Sequence, residues 1–198
     1  MPNVYDWDET VVYPNSGVTF VAFCMWRHNE LLRRYMPHIS KEFFLHGIKA
    51  RRGKPFKAEL YTFMKDVPDW EEEVRLFWQL KAEQMLQPWY LEQKRPDDII
   101  VSDSAEFLLR PICEQLGVRM LATPVDPVTG LLTGPDCHGP EKLRRLRQEF
   151  GPVEIEEFYS DSLHDAPLAN AARRAFLVNK DERLPWPKRK GNAMPHKK

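Results

Sequence analysis

The sequence predicts an α/β fold in which a parallel sheet carries a long helical insertion after its first strand. Two apolar runs, Val4-Tyr5 and Ile99-Ile100-Val101, are too short for helices and have the composition of strands buried on both faces. Between them, residues 18–90 are rich in aromatic and long apolar side chains at helical spacing. After them, apolar runs alternate with amphipathic helices, which favours parallel strands joined by helical crossovers.

Composition narrows the class of protein. The 198 residues fit one domain, or a core with one inserted subdomain. Lys and Arg number 29, as do Asp and Glu, so no global field attracts nucleic acid or an anionic membrane. The N-terminus lacks the pattern of a signal peptide, and no apolar run is long enough to span a bilayer. Three widely spaced cysteines argue against a disulfide framework. We therefore expect a cytoplasmic protein with no nucleic-acid partner and no stable membrane insertion.

Turn and capping signals set the predicted element boundaries. Pro14-Asn15-Ser16-Gly17 is a turn that offers Ser16 as a helix cap, and Asp69 is predicted to cap a helix that runs to Met85. Ser102-Asp103-Ser104 is predicted to cap a helix that Gly117 ends. The remaining predicted elements are a strand over 120–122, a hairpin over 125–133, a helix opened by Gly139-Pro140, a strand over 155–159, a helix over 168–175 and a last strand over 175–178.

Polar residues follow three of the predicted strands. Asp6 and Asp8 follow the first, Ser102 follows the second, and Asp161 and Asp165 follow the strand over 155–159. Because the carboxyl ends of parallel strands meet at one edge of a sheet, we expect these side chains to converge. Four carboxylates at one mouth repel each other unless a cation lies among them, and oxygen ligands with waters suit Mg²⁺. An Asp-x-Asp pair alone is more simply an acidic turn after a strand, so the prediction depends on the convergence.

These motifs resemble those of the haloacid dehalogenase (HAD) superfamily. Asp6-Trp7-Asp8-Glu9-Thr10 is similar to its first motif, Val101-Ser102 to its second and Ser160-Asp161-Ser162-Leu163-His164-Asp165 to its fourth. The resemblance covers about residues 1 to 180, and the insertion after the first motif is where members with a helical type-1 cap carry it. The chain therefore resembles subfamily IB, the phosphoserine-phosphatase-like proteins.

The resemblance implies a fold and a domain division. Residues 1–16 and 91–182 would form a Rossmann-like HAD core, and residues 17–90 would form the helical cap. Residues 183–198, which are basic and rich in proline, would form an extended or disordered tail.

The third motif of the superfamily, a lysine near the start of a helix, has two candidates. In phosphoserine-phosphatase-like members this lysine stands before a glycine, where the chain has His138 before Gly139. Lys142 lies one turn further on. We prefer Lys142, because an ammonium neutralises phosphate at any working pH, whereas His138 would need a raised pKa. With Lys142, Ser102 would grip the phosphoryl oxygens, although the residues alone also allow Ser102 to be a helix cap.

The resemblance also implies an activity: Mg²⁺-dependent hydrolysis of a phosphomonoester through an aspartyl-phosphate intermediate. Asp6 would attack the phosphorus, and Asp8 would protonate the leaving alcohol and then deprotonate the attacking water. The Asp6 carboxylate, the Asp8 backbone carbonyl and Asp161 would hold Mg²⁺, and Asp165 would orient a water on the metal.

Two other functions fit the same motifs. One is a phosphotransferase or mutase that uses the same aspartyl-phosphate, and the other is a non-catalytic protein that binds a partner through its cap or tail. The expected substrate is a small-molecule or lipid-like phosphomonoester, because the aromatic content of the cap exceeds what one thin helical layer normally buries. A contact between two copies in a homodimer would use the same aromatic surface. The sequence leaves the substrate, the cap residues that select it and the oligomeric state open.

Overall fold

A computed structural model of the chain describes residues 1–35 and 60–187. The strands of the described chain are β1 (Val4–Tyr5), β2 (Ile99–Ala105), β3 (Arg119–Thr123), β4 (Ile155–Ser160), β5 (Ala172–Asn179) and β6 (Glu182–Pro185). The helices whose full bounds are described are α1 (Ser16–Arg27), α2 (Trp70–Met85), α3 (Pro88–Gln93), α4 (Glu106–Leu116), α5 (Pro140–Phe150) and α6 (Ala166–Ala171). Residues 29–35 are also helical, and short 3₁₀ helices cover Thr62–Asp66 and Leu163–Asp165.

The six strands form one sheet in the order β3-β2-β1-β4-β5-β6. Strands β1 to β5 are parallel, as predicted, and β6 runs antiparallel to β5. Strand β1 is central, with Val4 opposite both Ile99 of β2 and Phe158 of β4. The polar residues that follow β1 therefore lie between those at the ends of β2 and β4.

Alternate side chains of the central strands enter two separate hydrophobic layers. Tyr5, Ile100 and Tyr159 belong to the layer that includes α1, α2 and α4. Their neighbours Val4 and Ile99, with Phe158, Leu146 and Leu168, belong to the layer beneath α5 and α6. A two-residue period on both buried faces explains why the strands read as continuous apolar runs.

The described part of the insertion is helical and buries most of its aromatic rings. The buried rings are those of Phe20, Phe23, Tyr61, Phe63, Phe77, Trp78, Trp89 and Tyr90. They pack edge to face, as Phe20 and Phe77 do with ring centroids 5.4 Å apart, and they share one layer with the sheet. The expectation of a large surplus of exposed aromatic surface is therefore wrong for these residues, although Trp26 is 78% exposed. Phe43, Phe44 and Phe56 lie outside the described residues.

Three capping predictions have different outcomes. Asp69 caps α2, accepting a hydrogen bond from the Glu72 N–H at 3.0 Å. Asn15, not Ser16, caps α1 by accepting from the Val18 N–H. The expected cap over 102–104 is wrong, because β2 continues to Ala105 and α4 has no side-chain cap. The serines of this stretch are thus available for other contacts.

The C-terminal part of the sheet extends further than predicted. Helix α6 ends at Ala171 and β5 begins at Ala172, where the sequence indicated helix. The tail boundary at 183 is also wrong for 183–187. Leu184 of β6 pairs with Leu177 of β5, and the Trp186 ring lies 5.9 Å from the Phe158 ring. Residues 188–198 lie outside the described residues, and the division between core and cap stays a prediction.

A hairpin after β3 contacts the insertion. The predicted excursion is confirmed by an antiparallel bridge between Val125 and Leu132. Gly130, with φ of +72°, turns its backbone against Tyr61, so that a Cβ at this position would lie 1.8 Å from the Tyr61 carbonyl oxygen. None of the described helices is long and apolar enough to cross a membrane.

Candidate active site

The carboxyl ends of β1, β2 and β4 and the start of α5 surround a cavity of about 240 Å³. Parallel strands place their following residues at one edge of the sheet, so the motifs, far apart in sequence, converge as predicted. The described residues that line the cavity are Asp6, Asp8, Glu9, Asn15, Asp103, His138, Lys142, Asp161, Ser162 and Asp165.

Lys142 lies between two carboxylates at the bottom of this cavity. Its Nζ is 2.8 Å from Asp6 Oδ1 and donates to Asp165 Oδ2 at 2.6 Å. Pro140 begins α5 after Gly139, whose φ is +54°, and this start places Lys142 in the first turn with its side chain buried. Of the two candidates for the third motif, the structure therefore places Lys142 beside Asp6.

Burial and ion pairing act against each other in this cluster. Burial raises the pKa of Asp6 above its ordinary value, while the charge of Lys142 lowers it. Burial also acts to lower the pKa of Lys142, but the charges of Asp6, Asp165 and Asp103 outweigh it and raise that pKa. Lys142 is therefore a permanent cation in the cavity.

Ser160, at the end of β4, joins the two carboxylates that contact Lys142. Its Oγ donates to Asp165 Oδ2 at 2.9 Å and lies 3.4 Å from Asp6 Oδ2. The Ser160 side chain is fully buried. The hydroxyl thereby helps to fix the orientation of Asp6 relative to Asp165.

Asp8 has neutral partners instead of a cation. Its Oδ1 accepts from the Ser16 backbone N–H at 2.5 Å and from the Ser16 hydroxyl at 2.6 Å. Its Oδ2 accepts from the Ser104 hydroxyl. Burial raises the pKa of Asp8, and the hydrogen bonds from Ser104 and Ser16 lower it. A carboxyl group in this environment can take up and release a proton.

The loop after β1 is braced from both sides. The Trp7 carbonyl accepts from the Val11 and Val12 N–H groups, which turns the chain back on itself, and Glu9 has a φ of +58° within that turn. Thr10 Oγ1 accepts from the Asp161 N–H at 3.0 Å, which ties this loop to the loop after β4. Thr10 therefore braces the two loops against each other, and Trp7, which is fully buried, packs in the core beside them.

The second motif is arranged differently from the expectation. Ser102 is fully buried, its Oγ accepts from the Ser104 N–H at 3.0 Å, and it is not among the described residues that line the cavity. Asp103 lines the cavity instead. His138 Nδ1 lies 3.3 Å from Asp103 Oδ2, on a side chain that is 47% exposed. His138 is thus at the rim, away from Asp6.

Six acidic side chains line the cavity against one lysine and one histidine. Burial and the charge of the nearby Glu9 raise the pKa of Asp161 to about 6. Both therefore oppose a negative charge on this carboxyl group. Within 1–35 and 60–187, however, no three His, Cys, Asp or Glu side chains form a ready-made metal cluster. Asp6, Asp8, Asp161 and Asp165 converge on the cavity as expected, but Asp8 and Asp165 are hydrogen-bonded to serines and Lys142 and do not form such a cluster. An incomplete set of oxygen donors in an acidic cavity suits Mg²⁺, which keeps several waters.

A larger cavity of about 520 Å³ lies between α2, α4 and the hairpin after β3. Its lining includes Trp70, Val74, Phe107 and Pro111, and none of the cavity acids described above. Size alone would select this groove, but the Asp-x-Asp pair and Lys142 lie elsewhere, and Arg110 of its lining pairs with Glu106.

Sequence reasoning missed four residues of the site. The sequence indicates helix caps at Ser16 and at the stretch that contains Asp103 and Ser104, and it presents Ser160 only as the first residue of the fourth motif. Extending β2 to Ala105 would have placed Ser104 near the strand end, beside Asp8. The contact between Ser16 and Asp8 depends on where α1 starts relative to the β1 loop, which no local pattern encodes.

A Rossmann-like sheet with a helical insertion after β1, and an Asp-x-Asp pair beside a buried lysine, define a hydrolase of the haloacid dehalogenase type. Residues 4–170 match the family of haloacid dehalogenase-like hydrolases, and the chain belongs to that family.

Individual relatives agree with this assignment. Protein CicA of Caulobacter vibrioides is 26% identical, over 88% of this chain and 84% of its own length. A solved structure of a protein of unknown function from Bordetella pertussis Tohama I has a TM-score of 0.71 at 19% identity, covering 90% of this chain and 89% of that chain. The structure of a probable phosphoserine phosphatase from Vibrio cholerae has a TM-score of 0.60 at 13% identity, covering 88% of this chain and 55% of that chain. These likenesses show the phosphoserine-phosphatase-like fold.

Proposed function

We propose that the protein is a Mg²⁺-dependent phosphatase that hydrolyses a small phosphomonoester through an aspartyl-phosphate on Asp6. The observation that carries the proposal is the Asp6 carboxylate at the end of the central strand, 2.8 Å from a buried, permanently charged lysine. A nucleophile that must approach an anionic phosphoryl group needs such a fixed positive charge beside it.

Asp6, Lys142 and Ser160 carry the phosphoryl transfer. Asp6 attacks the phosphorus, while Lys142 moves part of its interaction from the carboxylates to the phosphoryl oxygens. Asp165 accepts from both Lys142 and Ser160, and so holds the ammonium at the cavity floor throughout the reaction. Because these contacts exist before substrate binds, little reorganisation is needed during the reaction.

Asp8 carries the proton. It protonates the leaving alcohol when the ester bond breaks, and then takes a proton from the water that hydrolyses the aspartyl-phosphate. Its buried position in the same cavity, two residues after Asp6, suits this role.

The acidic cavity supplies oxygen donors for a divalent cation. Asp6, Asp161 and the Asp8 carbonyl would hold Mg²⁺, which adds positive charge against the phosphate when it is bound. The hydrogen bond from the Asp161 N–H to Thr10 Oγ1 supports this role, because it ties the loop of Asp161 to the loop that contains Asp6 and Asp8.

Cavity size limits the substrate. A volume of about 240 Å³ is below the range of roughly 300–1,000 Å³ that is usual for sites of drug-sized ligands. It accommodates a phosphoryl group and a short alcohol. The likeness in fold to the probable phosphoserine phosphatase of Vibrio cholerae agrees with a substrate of this size.

The test is a screen of phosphorylated metabolites with the purified chain, in Mg²⁺ and in excess chelator. We expect phosphate release that needs Mg²⁺, and an acid-stable, hydroxylamine-labile phosphoprotein that the Asp6→Asn variant does not form. Transfer of phosphate to added glycerol instead of water would indicate a phosphotransferase. Absence of both turnover and phosphoprotein across the screen would overturn the proposal.

A further inference from the structure

We propose that Ser16 and Ser104 are positioning residues that fix the orientation of the Asp8 carboxyl group for its role as proton donor. The inference rests on the proposed function, because it concerns the proton that the leaving alcohol receives. It concerns two serines that are almost completely buried and contact neither Asp6 nor Lys142 in any described hydrogen bond.

The donors around Asp8 decide which oxygen carries the proton. Oδ1 accepts two hydrogen bonds, one from the Ser16 backbone N–H and one from the Ser16 hydroxyl. A backbone N–H can only donate, so a proton on Oδ1 would face it directly. Oδ2 is bonded to the Ser104 hydroxyl, which can donate or accept as required. When Asp8 is protonated, Oδ2 is therefore the oxygen that can carry the proton.

The direction of the Ser16 hydroxyl is also fixed. Trp7 Nε1, which can only donate, donates to Ser16 Oγ at 3.2 Å. The Ser16 hydroxyl is left to donate its own proton to Asp8 Oδ1. On the opposite side, the Ser104 N–H donates to Ser102 Oγ, which holds Ser104 in place.

The two serines hold Asp8 from different elements. Ser16 is the first residue of α1, where the insertion begins, and Ser104 belongs to β2 of the sheet. Their contacts join the start of the insertion to the sheet through the Asp8 carboxylate. The orientation of Asp8 therefore depends on both elements.

Proton and bond changes balance in each step. In the first step the bond from Asp6 to phosphorus forms and the bond between phosphorus and the leaving oxygen breaks, while a proton on Oδ2 moves to that oxygen and the Ser104 hydroxyl donates to the ionised Oδ2. In the second step the bond from water to phosphorus forms and the bond between Asp6 and phosphorus breaks, which releases phosphate and the Asp6 carboxylate, while one water proton returns to Oδ2 and Ser104 accepts. Ser16 donates to Oδ1 in both states.

The test compares two substrates that differ in their need for a proton. 4-Nitrophenyl phosphate has a leaving group that departs as an anion, whereas a simple alkyl phosphate needs protonation. We expect Ser104→Ala and Ser16→Ala to lower kcat/KM for the alkyl substrate about tenfold more than for the aryl one, a part of the roughly 10²–10⁴-fold that general acid catalysis contributes. Asp8→Asn should give the largest such difference, and Ser104→Thr, which keeps the hydroxyl, should restore most of it.

Thr19→Ala is the matched control. Thr19 lies in the first turn of α1, and its hydroxyl donates to the Asn15 carbonyl at 2.7 Å. The Thr19→Ala variant therefore loses a partly buried hydroxyl from the same helix, but no contact with Asp8. Both substrates should react at the wild-type ratio. Equal losses for the two substrates in Ser104→Ala and Ser16→Ala, with folded protein by circular dichroism, would overturn the inference. Wild-type protein that hydrolyses neither substrate would instead refute the proposed function.

Discussion

The two carboxylates of the first motif stand two residues apart, yet they lie in different surroundings. Asp6 contacts a buried cation, Lys142, which Asp165 and Ser160 hold in place. Asp8 contacts only neutral donors from Ser16 and Ser104 in the described hydrogen bonds. A cation favours the ionised form of its neighbour, against the burial that raises the pKa of Asp6, whereas neutral hydroxyls tolerate either protonation state. One residue type can thus serve as nucleophile and as acid and base in one cavity.

The largest expected effect is the loss of turnover when Asp6, the carboxylate beside Lys142, is replaced. Asp6→Asn removes the nucleophile while keeping its shape, so turnover should fall by at least about 10³-fold for both aryl and alkyl phosphates. Steady-state kinetics with circular dichroism as a check on folding measures this. Near-wild-type turnover would show that the cation-paired carboxylate is not the nucleophile.

Replacing the cation should have the next largest effect. Lys142→Ala leaves Asp6 and Asp165 without their buried partner, and should cost about 10²–10³-fold in kcat/KM for both substrates. His138→Ala, at the rim, should cost less than about threefold. Rates of both variants between pH 5.5 and about 8.5 span the ordinary pKa of histidine, roughly 6.5. A larger loss in His138→Ala, with wild-type activity that falls as the pH rises, would transfer the role to the histidine.

Ser160→Ala tests the comparison between the two carboxylates, because the Ser160 hydroxyl lies beside Asp6. Loss of one hydrogen bond to a charged group, worth about 1.5–3 kcal/mol, should lower kcat/KM by roughly 10- to 150-fold. The two substrates should be affected equally, in contrast to Ser104→Ala. A loss of activity confined to alkyl phosphates would mean that Ser160 also affects proton transfer by Asp8.

The smallest effect concerns the stability of the metal-free protein. The pKa of Asp161 is raised from 3.8 to about 6, so the folded chain binds a proton that the unfolded chain releases. Its stabilising contribution is complete below the unfolded pKa and is lost as the pH rises through about 6. In chelator, Tm should therefore increase as the pH is lowered from 7.5 to 5.5, and Asp161→Asn should flatten that slope.

Added Mg²⁺ provides the second measurement for Asp161. A ligand that binds only the folded state raises Tm, and Asp161→Asn should reduce that increase. Asp97→Asn, a change at an exposed carboxylate in the turn before β2, is the control and should match wild type in both measurements. A normal Mg²⁺ response in Asp161→Asn would remove this residue from the proposed donor set.

The sequence predicted the elements whose signals are local. The apolar runs predicted the parallel strands, and Asp69 predicted the start of α2. The ends of the predicted strands indicated that Asp6 and Asp161 belong to the site. What it could not provide was the relation between elements. Ser102-Asp103-Ser104 is as typical of a helix cap as of a strand end, and only the pairing of β2 with β3 decides between them.

The relation between elements also explains why the predicted tail boundary at residue 183 is wrong. Arg183 to Pro187 is basic and rich in proline, which favours an unpaired tail. Pairing with β5 and packing of Trp186 against Phe158 outweigh that local preference. Preferences of this kind are weak compared with the burial of a large ring.

Strand β6 also has a protective consequence. Without it, the outer edge of β5 would present unpaired N–H and C=O groups to any other extended chain, which is how sheets associate between molecules. β6 is short, fully exposed, and contains Glu182, Arg183 and Pro185, residue types that discourage further strand pairing. The last described strand therefore closes the sheet against aggregation at an edge that the catalytic residues do not need.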